Sequence, residues 1–90
     1  MKSHYTYIIY SKVGDCYYRG YSSYPLLRLK QHNAGESKFT SKYSDWRLVY
    51  VEQFETKYEA LKREKVLKKY SKAQILELLR SLKNVVYLFI

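Results

Sequence analysis

Two short runs rich in tyrosine and β-branched residues, Tyr5–Tyr10 and Cys16–Tyr21, stand on either side of a five-residue break, Ser11–Asp15, that contains Gly14. Such residues favour pleated backbone, and a break this short returns the second run antiparallel to the first, so a β-hairpin is predicted. If its register pairs residues whose numbers sum to 25, Tyr7 lies opposite Tyr18 on one sheet face. A slip of one residue would part them. Gly20, inside the second run, marks a bulge or a close approach to the backbone, by substrate for instance. A further break, Ser22–Pro25, leads into a helix over Leu26–Asn33, with Pro25 suited to its first turn and Gly35 to its end. Within it Arg28 and His32 are four residues apart and share a face. Leu26, Leu27 and Leu29 form the apolar side, so Arg28 and His32 are predicted to project away from it, into solvent or into a cleft. Hairpin and helix together present phenols, a permanent cation and a titratable imidazole, groups suited to chemistry on a phosphate.

Residues 1–4 read as a loose terminus. Residues 34–46 lack periodicity and carry Gly, Ser and Thr, so they read as a loop. Lys38, Thr40 and Lys42 give that loop phosphate-binding character, with Phe39, Tyr43 and Trp46 interleaved. Arg47–Phe54 reads as a third strand. Thr56 and Glu59 make a capping box for a second helix running to about Lys69. There Ala60, Leu61 and Leu67 share a side, and Glu64 falls in the middle of it. Burying a carboxylate unpaired costs several kcal/mol, so Glu64 either pairs with Lys68 one turn on or faces a cleft. Lys62, Arg63, Lys65 and Lys69 crowd the remaining surface, either as a solvated face or as a track for a polyanion. Ser71 and Gln74 cap a third helix, Ala73–Leu82, with Ile75, Leu76, Leu79 and Leu82 as its stripe. The tail, Asn84–Ile90, reads as a strand-like extension that covers a sheet edge or pairs with a second copy.

The chain carries 17 Lys and Arg against 8 Asp and Glu, a formal charge of +9. That excess points to nucleic acid first and to an anionic membrane surface second. Ninety residues leave little room for a second core, so 1–90 is expected to be a single domain. The single cysteine, Cys16, has no partner for an internal disulfide, which favours a reducing compartment. No stretch approaches the roughly twenty apolar residues of a membrane span, and the N-terminus lacks a signal-peptide pattern. Cytoplasmic localisation is expected.

The order Tyr5-Thr6-Tyr7, Tyr18-Arg19-Gly20, Arg28 four before His32, and Glu64 within the run Glu59–Lys69 resembles the GIY-YIG nuclease superfamily, and specifically its small stand-alone bacterial members. Tyr5-Thr6-Tyr7 stands where the family writes its first triplet, and Tyr18-Arg19-Gly20 where it writes the second. The intervals of eleven residues from Tyr7 to Tyr18 and ten more to Arg28 are family-like. His32-Asn33-Ala34-Gly35 and Lys38-Phe39-Thr40 also match the small members. Any one triplet is weak in a chain with twelve tyrosines; the ordered set is specific. Arg19 departs from the pattern, since a neutral residue is usual there, and it is expected to bring an extra cation near the cleft.

The fold expected is a small α/β (α+β) domain, a three-stranded antiparallel sheet flanked by about three helices. The resemblance implies a metal-dependent endonuclease that hydrolyses phosphodiester bonds, with Tyr7, Tyr18, Arg28, His32 and Glu64 as catalytic residues. Glu64 would hold Mg²⁺ (or Mn²⁺), Arg28 the non-bridging oxygens, and Tyr7 would be the general base, with Tyr18 and His32 positioning it or relaying its proton. Arg19, Lys38, Thr40, Lys42, Lys62, Arg63 and Lys65 are the expected nucleic-acid contacts. DNA is the expected partner, with RNA not excluded and structure rather than sequence directing the cut. The chain would act as a monomer or weak homodimer, with an unidentified protein partner left open. The alternatives are a nucleic-acid-binding module that is catalytically weak or inactive, and an interaction domain dimerising through Val85–Ile90.

Overall fold

The computed structural model describes residues 3–90; Met1 and Lys2, part of the expected loose terminus, lie outside them. The chain runs through β1 (His4–Ser11), β2 (Cys16–Ser22), α1 (Pro25–Asn33), β3 (Arg47–Phe54), α2 (Lys57–Leu67), α3 (Lys72–Leu79) and a 3₁₀ turn at Val86–Leu88. The three strands form one antiparallel sheet in the order β2-β1-β3, so the first tyrosine strand is central. The α+β class expected from the sequence is therefore the one observed. No helix among the described residues is long and apolar enough to cross a membrane.

The hairpin register differs from the expected one by two residues. Tyr7 pairs with Gly20 and Tyr18 with Ile9, because the strands close at Ser11 opposite Cys16 and leave Lys12–Asp15 as the turn. Asp15 takes the left-handed conformation there, at φ 47°. The Asp45 carboxylate clamps the turn by accepting from Ser11 Oγ at 2.6 Å and from the Val13 N–H at 3.0 Å. A shift of two preserves parity, so Tyr7 and Tyr18 still share a face, as diagonal rather than direct neighbours.

Each face of the sheet has its own core. One gathers Tyr7, Ile9, Leu48 and Val51 with Trp46, and is covered by Leu29 of α1 and by the tail residues Val85, Val86 and Phe89. The other packs Ile8 and Tyr50 against Leu67 of α2 and Ile75 and Leu78 of α3. Leu48 and Val51 reach the same face because β3 bulges opposite Ile8 and Ile9; Val49 is the extra residue that flips the alternation.

Several elements depart from the expected patterns. α3 ends at Leu79, so the stripe is Ile75, Leu78 and Leu79, while Leu76 is half exposed and Leu82 lies wholly in solvent. On α2 Leu61 is exposed and only Ala60 and Leu67 are buried. The tail is not a strand. Asn84 accepts from the Val51 and Val86 N–H groups through Oδ1 and donates from Nδ2 to the Val49 and Leu79 carbonyls, and the Val85 N–H donates to the Val51 carbonyl at 2.8 Å. One amide side chain thus occupies the β3 edge beside the bulge, and the turn after it drops Phe89 edge-on against Tyr5.

Candidate active site

The site starts from the pairing of Tyr7 with Gly20. A methyl group at Gly20 would lie 2.5 Å from the phenol oxygen of Tyr7, so the missing side chain is what lets that ring lie across β2. The close approach expected at this glycine is real, and its cause is Tyr7 itself rather than substrate.

His32 meets that phenol from α1. The leucine face predicted to be buried is inverted: Leu26 and Leu27 are 44% and 55% exposed, whereas His32 is fully buried. Pro25 and His32 are the inward positions of this short helix, and Leu29 is only partly covered. His32 Nε2 lies 2.8 Å from Tyr7 Oη, and Nδ1 lies 2.6 Å from Thr40 Oγ1. The Tyr18 ring packs at a tilt on the imidazole, with centroids 5.1 Å apart. Arg28, one turn before His32 and half-buried, donates from Nη1 to Gln31 Oε1 at 3.0 Å. Glu64 extends from α2 with only 16% of its side chain exposed and pairs with Lys68 Nζ at 3.4 Å. Glu64 makes the ion pair expected with Lys68, and its charge contributes to raising the Tyr7 phenol.

Burial keeps both members of the central pair neutral. The Tyr7 phenol is pushed well above its ordinary value of 10 by desolvation; Arg28 offsets part of this, while Tyr18 and Glu64 add to it. His32 is pulled down to about 4, first by burial and then by the Arg28 charge. Tyr7, Tyr18, Arg28, His32 and Glu64 are therefore brought into one electrostatic neighbourhood, from two strands and two helices.

Three of the expected nucleic-acid contacts do not face a ligand. The Thr40 hydroxyl is fully buried against His32. Arg19 points to the opposite sheet face from Tyr18, as alternation along a strand demands, and donates to the carbonyls of Tyr70 at 3.2 Å and Tyr17 at 3.4 Å. Arg63 is ion-paired with Glu52 at 3.0 Å, both side chains 17% exposed, with its guanidinium over the Tyr70 ring. Lys38 and Lys42 on the loop, and Lys62 and Lys65 on α2, are exposed. The loop that carries Lys38 is folded inward by three hydrogen bonds: Asn33 Nδ2 donates to the Trp46 carbonyl, the Trp46 N–H donates to Asn33 Oδ1, and the indole N–H donates to the Thr40 carbonyl. Sequence reasoning missed Gln31, which orients Arg28; its spacing of three residues on the same helix was the available signal.

Glu64 is the acidic group of the neighbourhood. Among the described residues no cluster of three His, Cys, Asp or Glu is placed to hold an ion. A lone hard carboxylate suits Mg²⁺ or Mn²⁺, which retain several waters and take further oxygens from a phosphate; it does not suit a metal that needs an all-protein cage.

The chain matches the family model described as the GIY-YIG catalytic domain over residues 3–77. UPF0213 proteins of Staphylococcus aureus strains N315 and COL are each 40% identical over 81 residues, spanning 89% of this chain and 98% of theirs. The solution structure of a UPF0213 protein from Bacillus halodurans superposes with a TM-score of 0.56 at 34% identity, covering 94% of this chain and 89% of that one.

Proposed function

The chain belongs to the GIY-YIG nuclease family, and from that premise we propose that it is a divalent-metal-dependent endonuclease hydrolysing phosphodiester bonds in DNA, directed by DNA structure rather than base sequence. The observation that carries this reading is the 2.8 Å contact between Tyr7 and a buried, neutral His32, flanked by Tyr18 and lying in the fields of Arg28 and Glu64.

A free phenolate is a poor starting point for the chemistry. An ordinary tyrosine sits about three units above pH 7, roughly 4 kcal/mol against ionisation, and burial adds to that at Tyr7. A relay avoids the free phenolate and moves the proton demand to His32, whose pKa is pulled down to about 4. Tyr7 Oη accepts a proton from the attacking water while its own passes to His32 Nε2, so the phenol never carries net charge. The water oxygen bonds to phosphorus, the bond from phosphorus to the departing sugar oxygen breaks, and that oxygen is protonated from solvent. Arg28 forks onto the non-bridging oxygens as their charge grows. Tyr18 holds the imidazole from one side. Glu64 would hold Mg²⁺ or Mn²⁺ once Lys68, more than half exposed, swings away. The ion, when bound, supplies positive charge to the phosphate and the departing oxygen.

Lys38, Lys42, Lys62 and Lys65 are exposed and supply backbone contacts without sequence information. The tail folded over the β3 edge supports a monomer or a weak homodimer. The test incubates purified protein with supercoiled and branched DNA, and with RNA of the same shape, in Mg²⁺ or EDTA, beside Glu64→Ala and Arg28→Ala. The expected result is nicking or cleavage abolished by EDTA and by each substitution. DNA retention with no metal-dependent product would replace this reading with a binding module.

A further inference from the structure

We propose that Thr40 is a positioning residue that fixes His32 as its Nδ1–H tautomer, leaving Nε2 free to take the Tyr7 hydrogen. Its mechanistic consequence rests on the proposed phosphodiester hydrolysis; the tautomer assignment does not.

A neutral imidazole carries one N–H, and the partners of its two nitrogens decide which one bears it. His32 is held between two hydroxyls, Tyr7 Oη at 2.8 Å and Thr40 Oγ1 at 2.6 Å, all three residues being buried. Each hydroxyl brings one hydrogen that needs an acceptor away from water. Thr40 Oγ1 has one besides His32, the Ser37 carbonyl at 3.5 Å. Among the described residues the one acceptor in hydrogen-bond contact with the Tyr7 hydroxyl is His32 Nε2; the Arg28 guanidinium, whose charge also acts on the phenol, accepts nothing. One assignment satisfies every group: Tyr7 O–H donates to Nε2, Nδ1–H donates to Thr40 Oγ1, and Thr40 O–H donates to the Ser37 carbonyl. The reverse tautomer points Nε2–H at the phenol and leaves the buried phenol hydrogen without an acceptor among the described residues.

Thr40 is held rigidly enough to impose that choice. Its N–H donates to the Ser37 carbonyl at 3.2 Å and its carbonyl accepts from the Trp46 indole at 2.9 Å. Trp46 is tied in turn to the last residue of α1 through the two hydrogen bonds with Asn33. Loop 34–46 therefore serves as an outer frame for the imidazole. Such orienting partners typically change rates by 10–100-fold when removed.

The test reads the tautomer directly by two-bond ¹H–¹⁵N correlation of the imidazole near pH 7 in wild type, Thr40→Val and Thr40→Ser, with amide spectra reporting whether each variant folds. The expected result is Nδ1–H in wild type and in Thr40→Ser, and appearance of Nε2–H in Thr40→Val. In the cleavage assay Thr40→Val should lower kcat by on the order of 10–100-fold with KM little changed, and Thr40→Ser should restore it. Nε2–H in the wild-type protein, Nδ1–H retained in folded Thr40→Val, or full activity in a Thr40→Val protein whose tautomer has switched would each overturn the proposal. If Thr40→Val does not fold, the tautomers of wild type and Thr40→Ser decide it. Should the tautomers behave as expected while wild type cuts no nucleic acid, the assignment stands and the nuclease reading falls.

Discussion

Acidification should unfold this protein in a way that a single side chain explains. His32 is buried and its folded-state pKa is about 4, against 6.5 for the unperturbed group. Between those values the unfolded chain binds a proton that the folded chain refuses. Stability is therefore intact above about pH 6.5, falls as the pH drops towards 4, and receives no further penalty from this group below that. The full difference is about 3 kcal/mol, and integrating the two titrations puts the loss at about 2 kcal/mol by pH 5. A domain of this size has on the order of 5–13 kcal/mol in total, so a loss of 2 is easily measured. The assay is urea denaturation at pH 7.5 and pH 5.0 for wild type and His32→Gln. Carboxylates and the other histidine titrate in both proteins and cancel in the comparison. The stability of wild type relative to His32→Gln should shrink by about 2 kcal/mol on acidification. A difference that stays constant across that range would show that His32 is not held neutral, and with it the relay through Nε2 would lose its footing.

Three further variants separate roles that the sequence alone does not distinguish. Gly20→Ala places a methyl group against the Tyr7 ring and should lower thermal stability and abolish metal-dependent cleavage, while leaving DNA affinity within a fewfold of wild type. Arg63→Ala should destabilise by about 1–2 kcal/mol, since Glu52 loses its half-buried partner, without changing the salt dependence of DNA binding. The double variant Lys62→Ala/Lys65→Ala should do the reverse, keeping the melting temperature and reducing the slope of log K against log salt by about 1–2.

What the sequence made legible follows from which interactions are local. Strand composition, the Pro25 start of α1 and the Ser71–Gln74 cap act within a few residues, and the elements they specify are present. Arg19, expected near the cleft, lies on the opposite face: Tyr18 faces the site, so its neighbour in an extended strand must face away, a signal the sequence did carry. The inversion of α1 was not. Leu26 and Leu27 look like a core stripe, but the face they form is set by where Tyr7 and Thr40 meet the helix, and neither lies within it. Thr40 was misread for the same reason: between two lysines it looks like a phosphate ligand, and only the Trp46 and Asn33 bonds that fold the loop inward reveal that its hydroxyl belongs to the histidine.

The distribution of charge within the site bears on when it can react. Its buried centre, Tyr7, His32 and Thr40, is neutral at rest, and its ionised members, Arg28 and Glu64, are only partly buried. A phosphate reaching Arg28 would add negative charge beside an imidazole kept from protonating first by burial and then by Arg28, and so would raise the basicity of the group that must accept the proton. A cation at Glu64 would act on the phenol in the opposite sense to the carboxylate it neutralises. On this reading neither partner alone equips the relay. The neutral resting state is a consequence of burial, and under the proposed mechanism the proton path would be completed only with polyanion and metal present together.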